Sequence, residues 1–237
     1  MTKKSFFALA LIFVLGLALM GAAQAAKKFR SVSDNNGIYD IKNVNALDAF
    51  FARPYNKGLD GWGTALVLFV NFVAAAFAAG HDFFSSKEKK AALNDVFYDA
   101  LTFVSCWLWA GGLYRLLKTV AGRIRPYMYF PNPSQKGILE GDFCRSWPSG
   151  HSTAVFIALA FFLSWISFRK KSGSLLPRGE KVSKALAFIL LFVCLLTLYL
   201  RVACGKHFLT DVVSGAAIGF FASGAIFAFC GKALKAS

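Results

Sequence analysis

Charged residues are scarce in this 237-residue chain, at 16% of the total, and only 12 of them are acidic. Soluble domains carry about a quarter of their residues as charges, so the shortage argues against a water-soluble globule. Intrinsic disorder is excluded as well, because 57% of the residues are hydrophobic and disordered chains lack such residues. What remains is a folded protein with far more apolar residues than a soluble core needs.

Metal-binding patterns are missing too. The five cysteines have no CxxC spacing and no histidine at ligand distance, which argues against a zinc site. Three of the five fall in apolar runs, where a buried thiol is the simplest interpretation. The sequence accordingly predicts no metal and no other cofactor.

Basic residues outnumber acidic ones by 27 to 12, which gives a net charge of +15. An excess of this size predicts an anionic partner. Nucleic acid, an anionic lipid and a phosphorylated substrate all satisfy that requirement at this stage.

The apolar residues stand in six long runs. Each run approaches the roughly 20 residues that a helix needs to cross a bilayer core. A soluble helical bundle would need polar faces on these helices, and residues 185–200 have none. We therefore expect an all-α integral membrane bundle of five or six transmembrane helices. The runs are residues 5–23, 62–80, 97–117, 152–168, 185–200 and 212–231.

The first run has two interpretations. Lys3 and Lys4 precede it, and Ala23-Gln24-Ala25 at its end is a small-x-small cleavage pattern. Polar sequence follows directly, so a cleaved signal peptide over residues 1–25 is favoured over a retained first transmembrane helix. Both interpretations place residue 26 onward outside the cytoplasm, and the loops then expected inside are rich in Lys and Arg, as the positive-inside rule requires.

Residues 26–61 are expected to form an outward-facing amphipathic segment ahead of a transmembrane domain over residues 62–237. Within 38–56, apolar residues recur at spacings of three and four, which predicts a helix with one apolar face. Such a helix lies on the outer membrane surface or packs as a cap over the bundle. The apolar positions are Ile41, Val44, Leu47, Phe50 and Phe51.

A GxxxG pair stands in the last run, at Gly215 and Gly219. Glycines at this spacing let a neighbouring helix approach closely, and small residues in a lipid-facing helix are the alternative interpretation.

The first polar cluster is Lys118-Thr-Val-Ala-Gly-Arg123-Ile-Arg125-Pro126, at the outer end of the third run. Lys118 and Arg125 are seven residues apart, so both side chains point the same way if the helix persists to Pro126. Two cations on one face suit a phosphate. Snorkelling at the membrane interface also places Lys and Arg at a span end.

The second cluster is Trp147-Pro148-Ser149-Gly150-His151, immediately before the fourth run. The unpaired N–H groups at a helix start make a natural anion site, to which Ser149 and Gly150 each offer an N–H. His151 at its mouth suits proton donation to a leaving oxygen. A capping serine and an incidental interfacial histidine are the alternative.

The third cluster joins the fifth and sixth runs and contains Arg201, His207 and Asp211. His207 and Asp211 are four apart at the expected start of a helix, so the carboxylate reaches one imidazole nitrogen and exposes the other as a nucleophile. This is the logic of a catalytic triad with histidine as the attacking group. A helix cap with a surface ion pair is the alternative.

Taken in order, the three clusters resemble the signature of the type 2 phosphatidic acid phosphatase (PAP2) family. The resemblance extends from about residue 60 to 231. One departure is Leu200, where the family usually has a serine that contacts phosphate, and its loss affects affinity more than reaction type. The matching patterns are KxxxxxxRP from Lys118 to Pro126, PSGH from Pro148 to His151 and RxxxxxHxxxD from Arg201 to Asp211.

The resemblance implies a PAP2 and haloperoxidase-like active-site core and a metal-independent lipid phosphatase. His207 would attack phosphorus to form a phosphohistidine, Asp211 would orient it, and His151 would protonate the leaving group. Phosphoryl transfer needs mainly positioning and charge stabilisation, which three cations and a helix terminus supply. The phosphate-binding residues would be Lys118, Arg125, Ser149, Gly150 and Arg201.

The resemblance also implies a multi-pass protein of the bacterial inner membrane whose site faces the periplasm. The substrate would be a lipid phosphate or diphosphate held in the bilayer: undecaprenyl diphosphate, phosphatidylglycerophosphate or phosphatidate, with lipid A as the second choice. Nucleic acid is no longer expected, because Lys118, Arg125 and Arg201 are better explained as a phosphate cradle.

Two other classes share the site pattern. Vanadate haloperoxidases resemble this family but are soluble, which the apolar runs contradict. A non-catalytic lipid-binding membrane protein has no need to keep His151, His207 and Asp211 together.

Further residues near the motifs are expected to assist. Arg123 and Lys206 are candidate auxiliary phosphate contacts. Cys144 and Cys204 both fall on the outer side, where a disulfide between them is conceivable. The loop 127–147 is expected to contact lipid through Tyr127, Tyr129, Phe130, Arg145 and Trp147.

Overall fold

The computed structural model describes residues 3–29, 39–86 and 88–235, and over these residues the chain is helical without a strand. Two short 3-10 turns, Ile41–Asn43 and Pro126–Tyr129, accompany the α-helices. The α-helices are α1 (Lys3–Phe29), α2 (Ala46–Phe51), α3 (Lys57–Ser85), α4 (Lys89–Ala121), α5 (Gln135–Leu139), α6 (Gly150–Lys171), α7 (Pro177–Ala203) and α8 (Leu209–Lys235).

Six of the described helices, α1, α3, α4, α6, α7 and α8, are long and apolar enough to cross a membrane. The expected all-α multi-pass bundle is confirmed. Each helix is longer than its apolar run, because polar residues at both ends continue the helical hydrogen bonding beyond the apolar stretch. The helix α3, for example, begins at Lys57 and ends at Ser85 around the run 62–80.

The centre of the bundle is α6, which packs against α3, α4, α7 and α8. Its apolar residues point in all directions, so it has no polar face to offer water or headgroups. Phe161, Phe162 and Trp165 are almost fully buried on it. Large apolar side chains of the surrounding helices, such as Phe72 and Phe188, point outward instead, as lipid-facing residues do.

The GxxxG pair brings α8 against α6. A Cβ atom at Gly215 would overlap the carbonyl oxygen of Ser149, and one at Gly219 would overlap that of Thr153. The close-approach interpretation is therefore confirmed, since only glycine leaves room for these backbones. The contact fixes the beginning of α6 beside the beginning of α8, where the second and third motifs lie.

Glycines also join α1 to α4. A Cβ at Gly112 would lie 2.8 Å from Cγ of Leu19, and Trp109 Nε1 donates to the carbonyl of Ile12 over 2.9 Å. The structure describes this segment as a helix packed against α4, and whether residues 1–25 are a cleaved signal peptide or a retained transmembrane helix stays a prediction.

The prediction of a single amphipathic helix across residues 38–56 is wrong. Residues 30–38 lie outside the described part, and the rest forms a 3-10 turn and the six-residue helix α2, which Asn45 caps. The face turned inward is polar: Asp48 is 0% exposed, whereas Leu47 and Phe50 are 53% and 72% exposed. The reason is that Asp48 binds Arg123 of the first cluster and Thr210 near the third, as described below.

At the opposite end of the bundle, Arg169 of α6 forms ion pairs with three carboxylates. Its guanidinium lies 2.6 Å from Asp82 and 3.1 Å from both Asp95 and Asp99. This cluster ties α3, α4 and α6 together at the end where the loops expected to be cytoplasmic begin.

Candidate active site

A cavity of about 910 Å³ opens where α4 and α7 end and where α3 and α6 begin. Its wall carries nine Lys and Arg side chains against three carboxylates. Ser149 and Asp211 are not part of the wall. The predicted site residues that line it are Lys118, Arg125, Gly150, His151, Arg201 and His207.

Lys118 and Arg125 reach the cavity by a different route from the one expected. The helix α4 ends at Ala121 because Gly122 adopts a left-handed conformation with φ 56°. The argument from two helical turns to Pro126 is therefore wrong. Arg125 instead lies beyond the end of α4. Its backbone N–H donates to the carbonyl of Phe143 at 2.7 Å, which holds this segment against the loop before α6.

His207 lies just ahead of α8, so its pairing with Asp211 is not the helical one that was expected. The imidazole is 2% exposed. Its Nε2 faces the cavity 3.2 Å from NH1 of Arg125, and its Nδ1 lies 3.6 Å from Oδ2 of Asp211. Because a guanidinium only donates, Nε2 accepts, and the ring proton resides on Nδ1 beside the carboxylate.

Burial lowers the pKa of His207 well below its usual value, and the neighbouring cations Arg125, Lys118 and Arg201 lower it further. The imidazole is therefore neutral at pH 7. A neutral ring whose free nitrogen faces an anion-binding cavity has the form that a nucleophile requires.

Asp211 is held from several sides. Its Oδ2 accepts from Ser146 Oγ at 2.5 Å and from the N–H of Phe208 at 2.9 Å. Its Oδ1 accepts from NH1 of Arg123 at 2.6 Å. These contacts fix the carboxylate behind His207.

Arg123 connects Asp211 to a second buried carboxylate. Its NH2 donates to Oδ2 of Asp48 at 2.7 Å. The same carboxylate accepts from the hydroxyl and the N–H of Thr210, at 2.6 and 3.0 Å. Arg123 is not on the cavity wall. Its guanidinium binds these two carboxylates, so the expectation that it assists in binding phosphate is wrong. Lys206 does line the cavity.

Ser149 caps α6, with its Oγ accepting from the N–H of Ser152 at 3.4 Å. Its own N–H donates to the carbonyl of Asp211 at 2.9 Å, so that N–H is not directed at the cavity. Gly150 itself lies in the cavity wall, and a Cβ added to it would lie 3.0 Å from the ring of Tyr114. The Ser149 position thus supports the capping interpretation.

His151 stands on the cavity wall at the first turn of α6. Its Nε2 lies 3.1 Å from Oγ1 of Thr64 on α3. The hydroxyl is a hydrogen-bond partner that fixes the ring at the opening of the cavity.

Two carboxylates outside the three motifs form ion pairs with cations of the site. Asp60 on α3 accepts from Arg201 at 2.6 Å, and Asp142 accepts from Arg125 at 2.8 Å. Burial alone would raise the pKa of Asp142, but Arg125 and Lys206 lower it to about 2. Each carboxylate is separated from its arginine by many residues along the chain, so no local pattern pointed to either.

Two further expectations fail. Tyr127 is fully buried, with an edge-to-face contact to Tyr55, and does not reach lipid. Cys144 and Cys204 are both buried, and no disulfide joins them. Arg145 from the same loop does line the cavity.

Among the described residues, no group of three or more His, Cys, Asp or Glu side chains is arranged to hold a metal ion. Independence from metals stays a prediction.

The PAP2 superfamily profile matches residues 99–235, more than half of the chain. This protein belongs to the PAP2 superfamily. The match includes the three motifs, which the sequence resemblance had singled out, and the family assignment is confirmed.

The structure is similar to the crystal structure of a transmembrane PAP2-type phosphatidylglycerolphosphate phosphatase from Bacillus subtilis. The TM-score is 0.50, the sequences are 22% identical, and the alignment covers 96% of each chain. At this identity the likeness establishes the fold, a transmembrane PAP2 bundle. No curated protein sequence matches the chain significantly.

Proposed function

We propose that this protein is a lipid phosphatase that releases phosphate through a phosphohistidine formed on His207. The observation that carries the proposal is the environment of that imidazole. Its Nε2 faces a cavity lined by Lys118, Arg125 and Arg201, while Asp211 stands behind its Nδ1. A phosphoryl group in the cavity would meet the nucleophile and its charge-neutralising cations together.

In the first step, the Nε2 lone pair attacks phosphorus and the bond from phosphorus to the leaving oxygen breaks. His151 transfers its proton to that oxygen, which belongs to an alcohol or, in a diphosphate, to the inner phosphate. The imidazole becomes cationic on forming the P–N bond, and the Asp211 carboxylate stabilises it through the Nδ1 proton.

In the second step, a water molecule attacks the phosphohistidine and gives its proton to His151, which is now neutral. The P–N bond breaks, its electrons return to Nε2, and inorganic phosphate leaves. His151 and His207 are then back in their starting protonation states. The cycle uses only side chains of the chain and consumes one water for each phosphate released.

The substrate is a lipid phosphate or diphosphate because the cavity opens at the end of a membrane-spanning bundle. A lipid whose tail stays in the bilayer presents its headgroup at that level. The proposed location is the bacterial inner membrane with the site on the periplasmic side. Arg169, Lys170 and Lys171, at the opposite end of α6, would then be cytoplasmic, as the positive-inside rule favours.

The test is phosphate release by the protein purified in detergent, with lipid phosphates as substrates and EDTA present. We expect turnover, and we expect His207→Ala to reduce kcat by about a thousandfold or more. The control is His81→Ala, which removes a histidine that lies beside Asp82, away from the cavity. Loss of activity in EDTA, or an active His207→Ala protein, would contradict the mechanism.

A further inference from the structure

The helix α3 lies outside the residues that the family profile matches, which begin at residue 99, yet it forms part of the cavity wall. Four of its residues, Asp60, Gly61, Thr64 and Val67, line the cavity. Thr64 contacts a motif residue, because its Oγ1 lies 3.1 Å from Nε2 of His151. The proton donor of the proposed reaction therefore has a partner that none of the three motifs contains.

The direction of this hydrogen bond follows from the second partner of the hydroxyl. Thr64 Oγ1 donates to the carbonyl oxygen of Asp60, four residues earlier on the helix, over 3.3 Å. A hydroxyl has one hydrogen and a carbonyl oxygen only accepts, so the hydrogen of Thr64 is used there. Towards His151 the hydroxyl can then only accept, and Nε2 of the imidazole is the donor.

The beginning of α3 is held in place by Arg201. Oδ1 of Asp60 accepts from NH1 of Arg201 at 2.6 Å, and a Cβ added to Gly63 would lie 3.0 Å from the same NH1. Gly63 directly precedes Thr64. The close approach of this backbone to a cation of the cradle therefore fixes the hydroxyl relative to the phosphate-binding residues and to His151.

The Thr64 hydroxyl acts on His151 in two ways. An acceptor at Nε2 keeps a proton on that nitrogen, in the neutral ring as well as in the imidazolium. It also stabilises the imidazolium, since hydrogen bonds from charged groups are stronger than neutral ones. Because His151 and Thr64 both line the cavity, the proton is kept where a leaving oxygen can take it.

We propose that Thr64 is a positioning residue for the proton donor His151: its hydroxyl accepts the Nε2 hydrogen, sets the orientation of the ring and keeps the proton on the nitrogen that protonates the leaving oxygen. This inference rests on the proposed function of the same cavity. In the first step the N–H bond breaks, its electron pair stays on Nε2, and the proton moves to the leaving oxygen as the bond from that oxygen to phosphorus breaks. The Thr64 hydroxyl keeps its own hydrogen throughout.

The effect of losing this hydroxyl depends on the leaving group. A strongly basic alkoxide needs a proton in order to leave, whereas a weakly basic nitrophenolate leaves without one. Loss of the Thr64 hydroxyl should therefore slow the cleavage of an alkyl phosphate and spare that of a nitrophenyl phosphate. A general defect of the fold, or a lost contact to the phosphate itself, would slow both reactions equally.

The test measures kcat/KM in one detergent for dodecyl phosphate and for p-nitrophenyl phosphate, since this ratio reports the step in which the leaving group departs. We expect Thr64→Val, which keeps the branched shape without the hydroxyl, to lower kcat/KM about tenfold or more for dodecyl phosphate. The loss for p-nitrophenyl phosphate should be about twofold or less. Thr64→Ala should repeat this result, and Thr64→Ser, which keeps a hydroxyl, should restore most of the rate.

Thr197→Val on α7 is the matched control. The Thr197 hydroxyl donates to the carbonyl of Val193, also four residues earlier on its helix, and Thr197 is buried away from the cavity wall. This variant should change neither rate.

Three results would overturn the role of Thr64 while leaving the phosphatase intact. They are an equal loss on both substrates in Thr64→Val, no loss on either, and a Thr64→Ser protein as slow as Thr64→Val. Failure of the wild-type protein to release phosphate from either substrate would instead overturn the proposed function.

Discussion

NH1 of Arg123 donates to Oδ1 of Asp211 over 2.6 Å, directly behind His207. The other end of the same guanidinium meets Asp48, whose side chain is fully buried. If Asp211 were the only partner, Arg123 would neutralise the carboxylate that His207 needs. With Asp48 sharing the cation, Asp211 retains negative charge to offer to the Nδ1 proton.

Asp48→Asn should therefore slow the reaction although Asp48 is not on the cavity wall. We expect kcat to fall about tenfold, equivalent to about 1.4 kcal/mol in the barrier, with KM nearly unchanged. The extra positive charge should also lower the pKa of His207 further and move the acid limb of the rate profile to lower pH.

Steady-state kinetics across pH measures both effects. Asp40→Asn is the matched control, because Asp40 lies on the same segment but is exposed and holds only a local turn. A rise in KM with constant kcat would show that Asp48 acts on substrate binding and not through Asp211.

The pH dependence of the wild-type enzyme follows from the environment of His207. Burial and then the cations Arg125 and Lys118 lower its pKa, so the neutral, attacking form persists below the usual titration point. The acid limb of kcat/KM should therefore have its midpoint below pH 6.5.

Arg125→Gln tests this explanation through the direction in which the pKa of His207 moves. Removing a neighbouring cation relieves the repulsion on the imidazolium, so the pKa of His207 should rise and the acid limb should move to higher pH, in addition to a lower rate. An acid limb that stays in place, or that moves to lower pH, would count against His207 as the titrating nucleophile.

Asp142 should compete with phosphate for Arg125. Arg125 and Lys206 offset the effect of burial and lower the pKa of Asp142 to about 2, so it is ionised throughout the working range. Asp142→Asn removes a competing anion, and we expect the inhibition constant of inorganic phosphate to fall about three- to tenfold.

Product-inhibition kinetics checks this expectation. Glu140→Gln is the control, because Glu140 also lines the cavity and, among the residues that the structure describes, its ion pair is with the exposed Lys136. Weaker phosphate inhibition in Asp142→Asn would mean that Asp142 holds Arg125 in its binding position and does not compete.

The contact between α6 and α8 depends on the absence of a side chain at Gly219. An added Cβ would overlap the carbonyl of Thr153, so Gly219→Ala must push the helices apart. Overpacking of this kind costs about 1–3 kcal/mol. We expect a lower Tm in detergent and lower activity, since the second and third motifs begin these two helices.

Gly224→Ala on the same helix is the control, because an added Cβ there meets nothing within 4 Å. Alanine is the better helix former, so this variant should be at least as stable as the wild type. Equal Tm values for the two variants would show that the α6–α8 contact does not determine stability.

The transmembrane helices and the gathering of the motifs could be predicted from the sequence because both leave local signals. Long apolar runs are visible in any window, and the motif residues stand at the ends of those runs. The backbone conformation that brings the motif residues to the site was harder to predict. Gly122 ends α4 four residues after Lys118, and His207 precedes α8, so two arguments from helical spacing reached the right neighbours for the wrong reason.

The carboxylates of the site were missed because their partners are distant in the chain. Asp60 binds Arg201, and Asp48 binds Arg123 and Thr210, across separations that no periodicity records. The amphipathic pattern around Leu47 suggested an apolar inner face for the same segment. The ion pair with Arg123 turned the polar side of this segment inward, because a half-buried guanidinium needs a carboxylate more than the cap needs apolar contact.

The most direct test of the central claim is to trap the phosphoryl group on His207. Protein purified in detergent is mixed with a lipid phosphate labelled in its terminal phosphate, quenched in alkali within the first turnover, and digested for mass spectrometry. We predict an acid-labile, alkali-stable phosphohistidine on the peptide that contains His207, and none in the His207→Ala protein. Label on another residue, or release of phosphate by the wild-type enzyme with no labelled protein at any time, would contradict the account.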